Sequence, residues 1–238
     1  MSLIPNLSND DLAVEIHDLV KVYRTGSLRH TALRGVTLQV PKGEIVSIVG
    51  PSGSGKSTLL NMIGLLDKPT RGVLRIDGID VSKMNEDTKA GIRNRKIGFV
   101  FQAYNLIHRL TAVENVELPL IAMGLSRKKR QKIARKLLAS VGLEKRFRNR
   151  PYELSGGEQQ RVAICRALAT EPSIVLGDEI TGNVDTKTST QIMDLIETIN
   201  KESKRTFVLV THNPELARRG HRILYVRDGL IEKEEMLS

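Results

Sequence analysis

A glycine-rich loop at residues 50–58 places the strongest constraint on what this chain can fold into. The loop fits the pattern G-x-x-x-x-G-K-[ST], and it stands between the apolar run 45–49, typical of a buried strand, and a helical pattern over 56–65. Glycines let the backbone turn so that successive N–H groups point at one phosphate, and the amino end of the helix adds partial positive charge. The sequence therefore predicts a triphosphate site on an α/β fold. Its residues are Gly50, Pro51, Ser52, Gly53, Ser54, Gly55, Lys56, Ser57 and Thr58.

Two side chains of this loop have predicted roles of their own. Lys56 supplies a mobile cation for the β and γ phosphates, and Ser57 offers a hydroxyl to Mg²⁺. The dinucleotide fingerprint G-x-G-x-x-G is excluded, because Thr58 stands where its third glycine is needed.

An acidic pair follows the next apolar strand pattern, at residues 174–176. The carboxyl ends of parallel strands are where ligands collect in such sheets, so Asp178 and Glu179 are candidate site residues. Asp178 is predicted to hold the metal through its water shell. Glu179 projects to the other side and is predicted to act as general base on an attacking water. His212, just after the apolar run 207–210, is a candidate sensor of the γ-phosphate.

The remaining patterns indicate one composite unit rather than separate domains. Strand patterns occur at 13–16, 36–40, 45–49, 73–76, 97–101, 174–176, 207–210, 223–226 and 230–233. Three of these, 45–49, 174–176 and 207–210, are nearly all apolar, as expected of a parallel sheet covered on both faces. Between 103 and 170 the periodicity is helical, notably at 126–141 and 157–169. Residues 1–11 are polar and predict a loose leader.

The composition limits the class of protein but does not identify its binding partner. The 238 residues carry 37 Lys and Arg against 27 Asp and Glu, a formal charge of +10. Uncharged runs fall short of the ~20 residues that a membrane span needs. Nucleic acid is the weaker partner, because there is no Trp for base stacking. The basic runs 127–130 and 145–150 predict a solvated face, with anionic lipid head groups as the alternative. Cys165 is predicted to be a buried apolar side chain.

The string LSGGEQQR at residues 154–161 resembles the signature motif of ABC-type ATPases. The resemblance extends from Val14 to about Glu234. It implies a P-loop NTPase (RecA-like) α/β core with an antiparallel β subdomain and an inserted α-helical subdomain. The expected division is a nucleotide-binding core at 12–102 and 165–238 and a helical signature subdomain at 103–164, together one domain over 12–238.

The resemblance also implies roles for individual residues. Tyr23 is expected to stack on adenine, and Gln102 to bind Mg²⁺ with Ser57 and Asp178 and link the metal to a membrane partner. His212 becomes the switch histidine, catalytic with Glu179 and Lys56. The residues expected to contact the nucleotide held by a second protomer are Ser155, Gly156, Gly157, Glu158 and Asp185.

Within that family, residues 63–70, 97–102 and 110–116 resemble the macrolide-exporter and lipoprotein-release branch. Three residues depart from its pattern: Gly177 replaces Ala, Ile180 replaces Pro and Val184 replaces Leu. A proline at position 180 would preset the turn beside Glu179, and isoleucine does not. We therefore expect Ile180 to affect the rate of hydrolysis and not the binding of nucleotide.

The resemblance implies an ATP-binding and ATP-hydrolysing transporter subunit with ATP and Mg²⁺ as ligands. It is expected to dimerise head to tail, to open on hydrolysis, and to move a separate transmembrane permease at the cytoplasmic face of the cell membrane. The alternatives are a soluble ABC-type ATPase acting on nucleic acid or in cell division, and a P-loop GTPase or kinase. The latter lacks an Asn/Thr-Lys-x-Asp string and leaves residues 154–161 unexplained.

Overall fold

A computed structural model describes residues 11–237, in which two β-sheets are covered by helices. The strands are β1 (Leu12–Thr25), β2 (Leu28–Pro41), β3 (Ile45–Val49), β4 (Arg71–Ile76), β5 (Ile79–Asp80), β6 (Ile97–Phe101), β7 (Ile174–Asp178), β8 (Thr206–Val210), β9 (Arg222–Arg227) and β10 (Leu230–Met236). The helices are α1 (Lys56–Ile63), α2 (Glu86–Lys96), α3 (Ala112–Ala122), α4 (Arg127–Ser140), α5 (Gly156–Leu168), α6 (Thr186–Ser203) and α7 (Pro214–Ala217). Short 3₁₀ turns lie at Glu144–Arg146 and Pro151–Glu153.

The larger sheet has the strand order β10-β9-β3-β8-β7-β6. Its strands pair in parallel except for the antiparallel β10 at the edge. The three predicted apolar strands, β3, β8 and β7, are adjacent in its centre, where helices and the second sheet cover both faces. Parallel order brings the carboxyl ends of these strands to one edge, so the loops that follow them are neighbours.

The smaller sheet, β2-β1-β4-β5, is antiparallel. The predicted strands at 13–16 and 36–40 were too short, because β1 and β2 each run for 14 residues. Their pairing contains register shifts near Asp18, whose φ is +47°, and each shift interrupts the alternation that marks a strand in sequence.

The core forms on both faces of the larger sheet. Ile45 faces the layer containing α5 and α6, whereas Val46 and Ile48 face α1 and the smaller sheet. Cys165 is fully buried in the first layer, as predicted, and burial raises the pKa of its thiol to about 12.

A buried ion cluster joins the two sheets at the edge opposite the loops. Arg222, which is fully buried, donates to Glu44 and Glu234 at 3.0 Å each and to the carbonyl of Gln39 on β2 at 2.6 Å. Burial raises the pKa of Glu44 to about 7, although Arg222 opposes the shift.

The helical region contains α3, α4 and most of α5. Helices predicted at 56–65, 126–141 and 157–169 correspond to α1, α4 and α5. Helix α5 is continuous across the expected boundary between 164 and 165, and the subdomain division remains a prediction. Of the predicted leader, residues 1–10 lie outside the described residues. Over 11–237, none of the helices combines the length and the apolar character of a membrane span.

Candidate active site

The loop at residues 50–58 has the backbone geometry of an anion cradle. Gly53 and Gly55 have φ values of +76° and +105°, and a side chain on Gly55 would meet the carbonyl oxygen of Ala32 at 2.7 Å. Gly55 caps α1 without a side-chain hydrogen bond, so the first N–H groups of that helix have no side-chain cap. The Ser54 hydroxyl is buried and has no hydrogen-bond partner among the described residues.

Lys56 folds back over this loop. Its Nζ donates to the carbonyl oxygens of Gly50 at 2.9 Å and Pro51 at 2.7 Å. Burial lowers the pKa of Lys56, and the carboxylates of Glu179 and Asp178 oppose that shift. An ammonium held by two neutral carbonyls can transfer to a phosphate without moving the backbone.

Asp178 is the last residue of β7. In the sheet, β7 is separated by β8 from β3, the strand that leads into the loop 50–58. Burial raises the pKa of Asp178, and the charge of Glu179 adds to the effect, whereas Lys56 and His212 oppose it. These four side chains therefore lie within electrostatic reach of one another. Their convergence was predicted from three separate stretches of sequence.

The backbone bends sharply at Glu179. Its φ is +47°, and its N–H donates to the carbonyl of Val210 on β8 at 3.0 Å. His212 follows β8, and its Nε2 lies 2.7 Å from Glu179 Oε1. Both side chains remain partly exposed, at 28% for Glu179 and 52% for His212, so water can reach the pair.

Two of the three departures from the branch pattern touch each other here. A methyl group on Gly177 would meet Ile180 Cγ2 at 2.8 Å and Leu209 Cδ2 at 2.7 Å. Ile180 is buried against this side of the sheet. Glycine at 177 thus makes the room that isoleucine at 180 fills.

Gln102 packs against the loop after the acidic pair. Its Nε2 donates to Asn183 Oδ1 at 3.4 Å, and Asn183 Nδ2 donates to the Gln102 carbonyl at 2.9 Å. A side chain on Gly182 would meet Gln102 Nε2 at 2.7 Å. Tyr104 donates to the carbonyl of Asn183 at 3.1 Å and lies against Gly156. The loop 182–183 therefore connects the acidic pair to the start of α5.

The predicted signature residues form the start of α5. Ser155 caps the helix by accepting from the Glu158 N–H at 3.3 Å, and Glu158 accepts from the Ser155 N–H at 2.8 Å. Burial raises the pKa of Glu158, but the hydrogen bonds from Ser155 and from Arg146, at 2.9 Å, outweigh it and lower the pKa overall. Ser155 is exposed.

Asp185 caps α6 beside this helix. It accepts from the hydroxyl of Thr188 at 2.6 Å and from its N–H at 3.0 Å, and these bonds lower the pKa of Asp185. Thr188 also sets the distance between the helices, because a side chain on Gly157 would meet Thr188 Cγ2 at 2.5 Å. Ser155 and Asp185 thus belong to one surface built from two helix starts.

Tyr23 lies beside Thr58 of the loop 50–58, and the residue is 38% exposed. Its hydroxyl donates to Asp67 at 2.9 Å, and Lys21 Nζ lies 4.7 Å from the ring centre while donating to Asp67 at 2.6 Å. Burial and the bond to Asp67 raise the pKa of Tyr23, which the hydroxyl of Thr58 opposes. One ring face is therefore covered by an ammonium.

Sequence reasoning missed several side chains that support the site. Asp67, Arg146 and Asn183 received no role, although each contacts a predicted site residue. Tyr104 also received none, although it lies against Gly156 and donates to Asn183. The positive φ of Tyr104, +60°, is invisible in a sequence. Asp67 lies 44 residues from Tyr23, so only the fold brings them together.

A parallel sheet with a glycine cradle after one strand, an acidic pair after a second and a histidine after a third defines a P-loop nucleoside triphosphatase. The chain belongs to the ABC transporter family, whose model, described as "ABC transporter", matches residues 33–182. It is an ATP-binding subunit that hydrolyses ATP. The predicted ABC ATPase fold is confirmed.

Three relatives place the chain within the family. It is 50% identical to the ATP-binding cassette MJ0796 of Methanocaldococcus jannaschii, whose dimeric post-hydrolysis structure, bound to ADP and Pi, covers 94% of this chain and 99% of its own at a TM-score of 0.87. The lipoprotein-releasing system ATP-binding protein LolD of Bordetella pertussis is 45% identical over 93% of this chain and 96% of its own. The macrolide export ATP-binding/permease protein MacB of Syntrophobacter fumaroxidans is 47% identical over 93% of this chain and 31% of its own. The predicted resemblance to that branch is confirmed.

Proposed function

We propose that ATP binds with its phosphates in the loop at residues 50–58 and its base against Tyr23, and that Glu179 and His212 perform the hydrolysis. The observation that carries this proposal is the convergence of Lys56, Asp178, Glu179 and His212. Lys56 leaves the Gly50 and Pro51 carbonyls for the phosphates, and the loop N–H groups stabilise the developing negative charge.

Glu179 acts as the general base. Its carboxylate takes a proton from the attacking water, and the imidazole of His212, 2.7 Å away, orients that carboxylate. His212 is exposed enough to hydrogen-bond a γ-phosphate while it holds Glu179, so loss of that phosphate changes the contacts of the pair.

Three oxygen donors fit a magnesium ion. Ser57 offers an exposed hydroxyl, Gln102 an exposed amide oxygen and Asp178 a partly buried carboxylate, which are the ligand types that Mg²⁺ prefers. When bound with ATP, the ion would neutralise charge on the phosphate oxygens. The phosphates of a bound nucleotide would supply further oxygen ligands. Within residues 11–237 there is no cluster of three His, Cys, Asp or Glu side chains of the kind that holds a metal.

A second copy of the chain completes the site. The exposed Ser155 at the start of α5 is held by Glu158, and Asp185 lies beside it, forming a polar surface suited to a nucleotide carried by the partner. We infer a head-to-tail dimer in which ATP lies between the Lys56 loop of one protomer and the Ser155 surface of the other. The dimeric MJ0796 cassette, bound to ADP and Pi, supports this arrangement. Hydrolysis removes the anion that holds the two halves together, so the dimer opens.

This cycle would drive a separate transmembrane permease at the cytoplasmic face of the cell membrane. LolD, by its name part of a lipoprotein-releasing system, supports a role of this kind. Action on nucleic acid has the net charge of +10 as its only support. Copurification with a membrane protein rather than with nucleic acid separates the two.

Crosslinking tests the dimer. Ser52→Cys and Glu153→Cys in a Glu179→Gln background place one thiol beside each half-site, and the buried Cys165, whose pKa is about 12, contributes no reactive thiol. A short bismaleimide should yield a covalent dimer with ATP and magnesium but not with ADP. Each single-cysteine variant is the matched control and should stay monomeric. The head-to-tail dimer is wrong if the double variant also stays monomeric while it binds ATP.

A filter-binding assay tests the loop. Lys56→Ala should abolish ATP retention, whereas Lys201→Ala, in the last turn of α6 at the end away from Asp185, should leave it intact. Retention by the Lys56 variant would place the triphosphate elsewhere.

A further inference from the structure

Helix α4 has a charge distribution that works against its own stability. Every charged residue of α4 is Lys or Arg, and its first turn carries Arg127, Lys128 and Lys129. The amino end of a helix carries partial positive charge, so cations there are unfavourable. Helices α2, α3 and α5 instead carry acidic residues in their first turns. Features that break such a local rule tend to mark functional sites.

Three arginines of α4 interact with the rest of the fold. Arg130 pairs with Glu117 at 3.2 Å and donates to the carbonyl of Leu125 at 2.6 Å. The Arg135 guanidinium lies 5.8 Å from the centre of the Phe147 ring, and the charge of Arg127 helps to lower the pKa of Glu114. Lys128, Lys129 and Lys132 are exposed and have no ion pair or hydrogen bond from their side chains to the described part of the chain. Their charges are free for an external anion.

Two large exposed apolar side chains precede these cations by only a few residues in the chain. Ile121, at the end of α3, is 52% exposed, and Met123, in the turn before α4, is 40% exposed. The turn is closed by backbone bonds from Met123 to Pro119 and from Gly124 to Ile121, so the apolar pair is held at the tip of the α3–α4 hairpin. The exposed side chains of Ile121 and Met123 are thus followed within a few residues by the unpaired ammonium groups of α4.

We propose that this basic tip, composed of Ile121, Met123, Arg127, Lys128, Lys129 and Lys132, binds the surface of an anionic lipid bilayer. Ammonium groups at a bilayer surface are attracted by anionic head groups, and the two aliphatic side chains enter the boundary between head groups and acyl chains. Nucleic acid fits less well, because the tip offers no aromatic platform and its apolar residues have no counterpart on a phosphate backbone.

The position of the basic tip is consistent with a lipid bilayer as its partner. Only this step rests on the proposed function. A groove of about 420 Å³ is lined by Phe101, which ends β6 just before Gln102, by Asn105 three residues after Gln102, and by Pro119 and Ala122 near the tip. If the permease engages the Gln102 side of the chain, the tip lies beside the membrane protein rather than facing away from it. Lipid binding by the isolated chain is measurable whether or not a permease is present.

Vesicle co-sedimentation of the full chain tests the proposal. Vesicles of 30% phosphatidylglycerol in phosphatidylcholine should bind the chain, and pure phosphatidylcholine should not. Lys128→Gln/Lys129→Gln/Lys132→Gln should weaken the partition on the order of 100-fold, since each basic residue contributes about a fivefold factor. Ile121→Ser/Met123→Ser should also weaken the partition. The binding that remains in this variant should be electrostatic alone, so high salt should abolish it.

The matched control is Lys83→Gln/Lys201→Gln/Lys204→Gln, which removes the same charge from exposed positions elsewhere and should bind vesicles like the parent chain. ATP hydrolysis in solution should be unchanged in all three variants, so a failure of lipid binding is distinct from a failure of the ATPase. The proposal is overturned if the control loses as much binding as the tip variant. It is also overturned if duplex DNA displaces the vesicles and the aliphatic variant binds them normally.

Discussion

The imidazole Nε2 of His212 lies 2.7 Å from Oε1 of Glu179, although the two residues follow different strands. Strands β7 and β8 pair in parallel, with Asp178 opposite Val210, so the residues that follow them emerge side by side. The Glu179 N–H bonded to Val210 fixes the start of that turn. The register of the sheet thus places the proposed base, Glu179, beside His212, its proposed orienting partner.

Glu179→Gln should reduce ATP turnover roughly 10²- to 10⁴-fold without loss of nucleotide binding. The amide still accepts a hydrogen bond from His212 but cannot take a proton from water. Phosphate release measures turnover, and equilibrium binding of a labelled nucleotide measures retention. Glu202→Gln, an exposed glutamate on α6, is the control and should behave as the parent chain. Unchanged turnover in the Glu179 variant would remove that residue from the mechanism.

Asp67→Asn should raise the KM for ATP about threefold to tenfold and leave kcat unchanged, because the variant loses charge-assisted bonds to Tyr23 and Lys21 that orient the ring. The pKa of the Tyr23 phenol should fall, since the carboxylate raises it in the parent chain. Steady-state kinetics and absorbance titration measure the two effects. Asp194→Asn, which breaks the exposed pair with Arg219, is the control. A lowered kcat with an unchanged KM would contradict this positioning role.

Gly177→Ala should destabilise the fold by about 1–3 kcal/mol, because the new methyl group meets Ile180 and Leu209. Ile180→Ala should cost about 2–5 kcal/mol by leaving a cavity. The double variant should be more stable than the sum of the single effects predicts, by about 0.5–3 kcal/mol. Urea unfolding of all four chains measures this coupling. Simple additivity would mean that the two departures are unrelated.

Stability should fall as the pH rises from about 5 to 7, in part through Glu44. Its folded pKa of about 7 lies above the ordinary value of 4.5, so the folded chain binds more protons than the unfolded chain in this window. The slope from this group is at most about 1.4 kcal/mol per pH unit. Urea unfolding at several pH values should show a shallower fall in Glu44→Gln, where the group no longer titrates. An identical pH profile in parent and variant would show that Glu44 titrates normally.

Lys128→Glu should stabilise the chain by about 0.3–1 kcal/mol, because it places an anion in the first turn of α4. Lys201→Glu is the mirror control, since it puts an anion in the last turn of α6 and should destabilise by a similar amount. Denaturant midpoints measure both. Equal effects of the same sign would mean that the helix dipole does not govern α4.

Much of the fold was predictable where one segment carries its own pattern. Strands β3, β7 and β8 are continuous apolar runs, and the loop 50–58 needs only local spacing. Helix α6 was missed because its first third, TKTSTQ, is polar and poor in helix formers, although the helix runs for 18 residues. Its capping by Asp185 becomes visible only once the helix is known.

The sequence alone determined the kind of chemistry, because a phosphate cradle, an acidic pair and a signature string depend on residue types at short spacings. The tertiary structure decided which residues that are distant in sequence come into contact. Asp67 reaches Tyr23 beside the loop, and Arg222 joins Glu44 at the opposite edge of the sheet, only through packing. Contacts of this kind leave no periodic trace along the chain, since they arise when separate strands and helices share one buried volume.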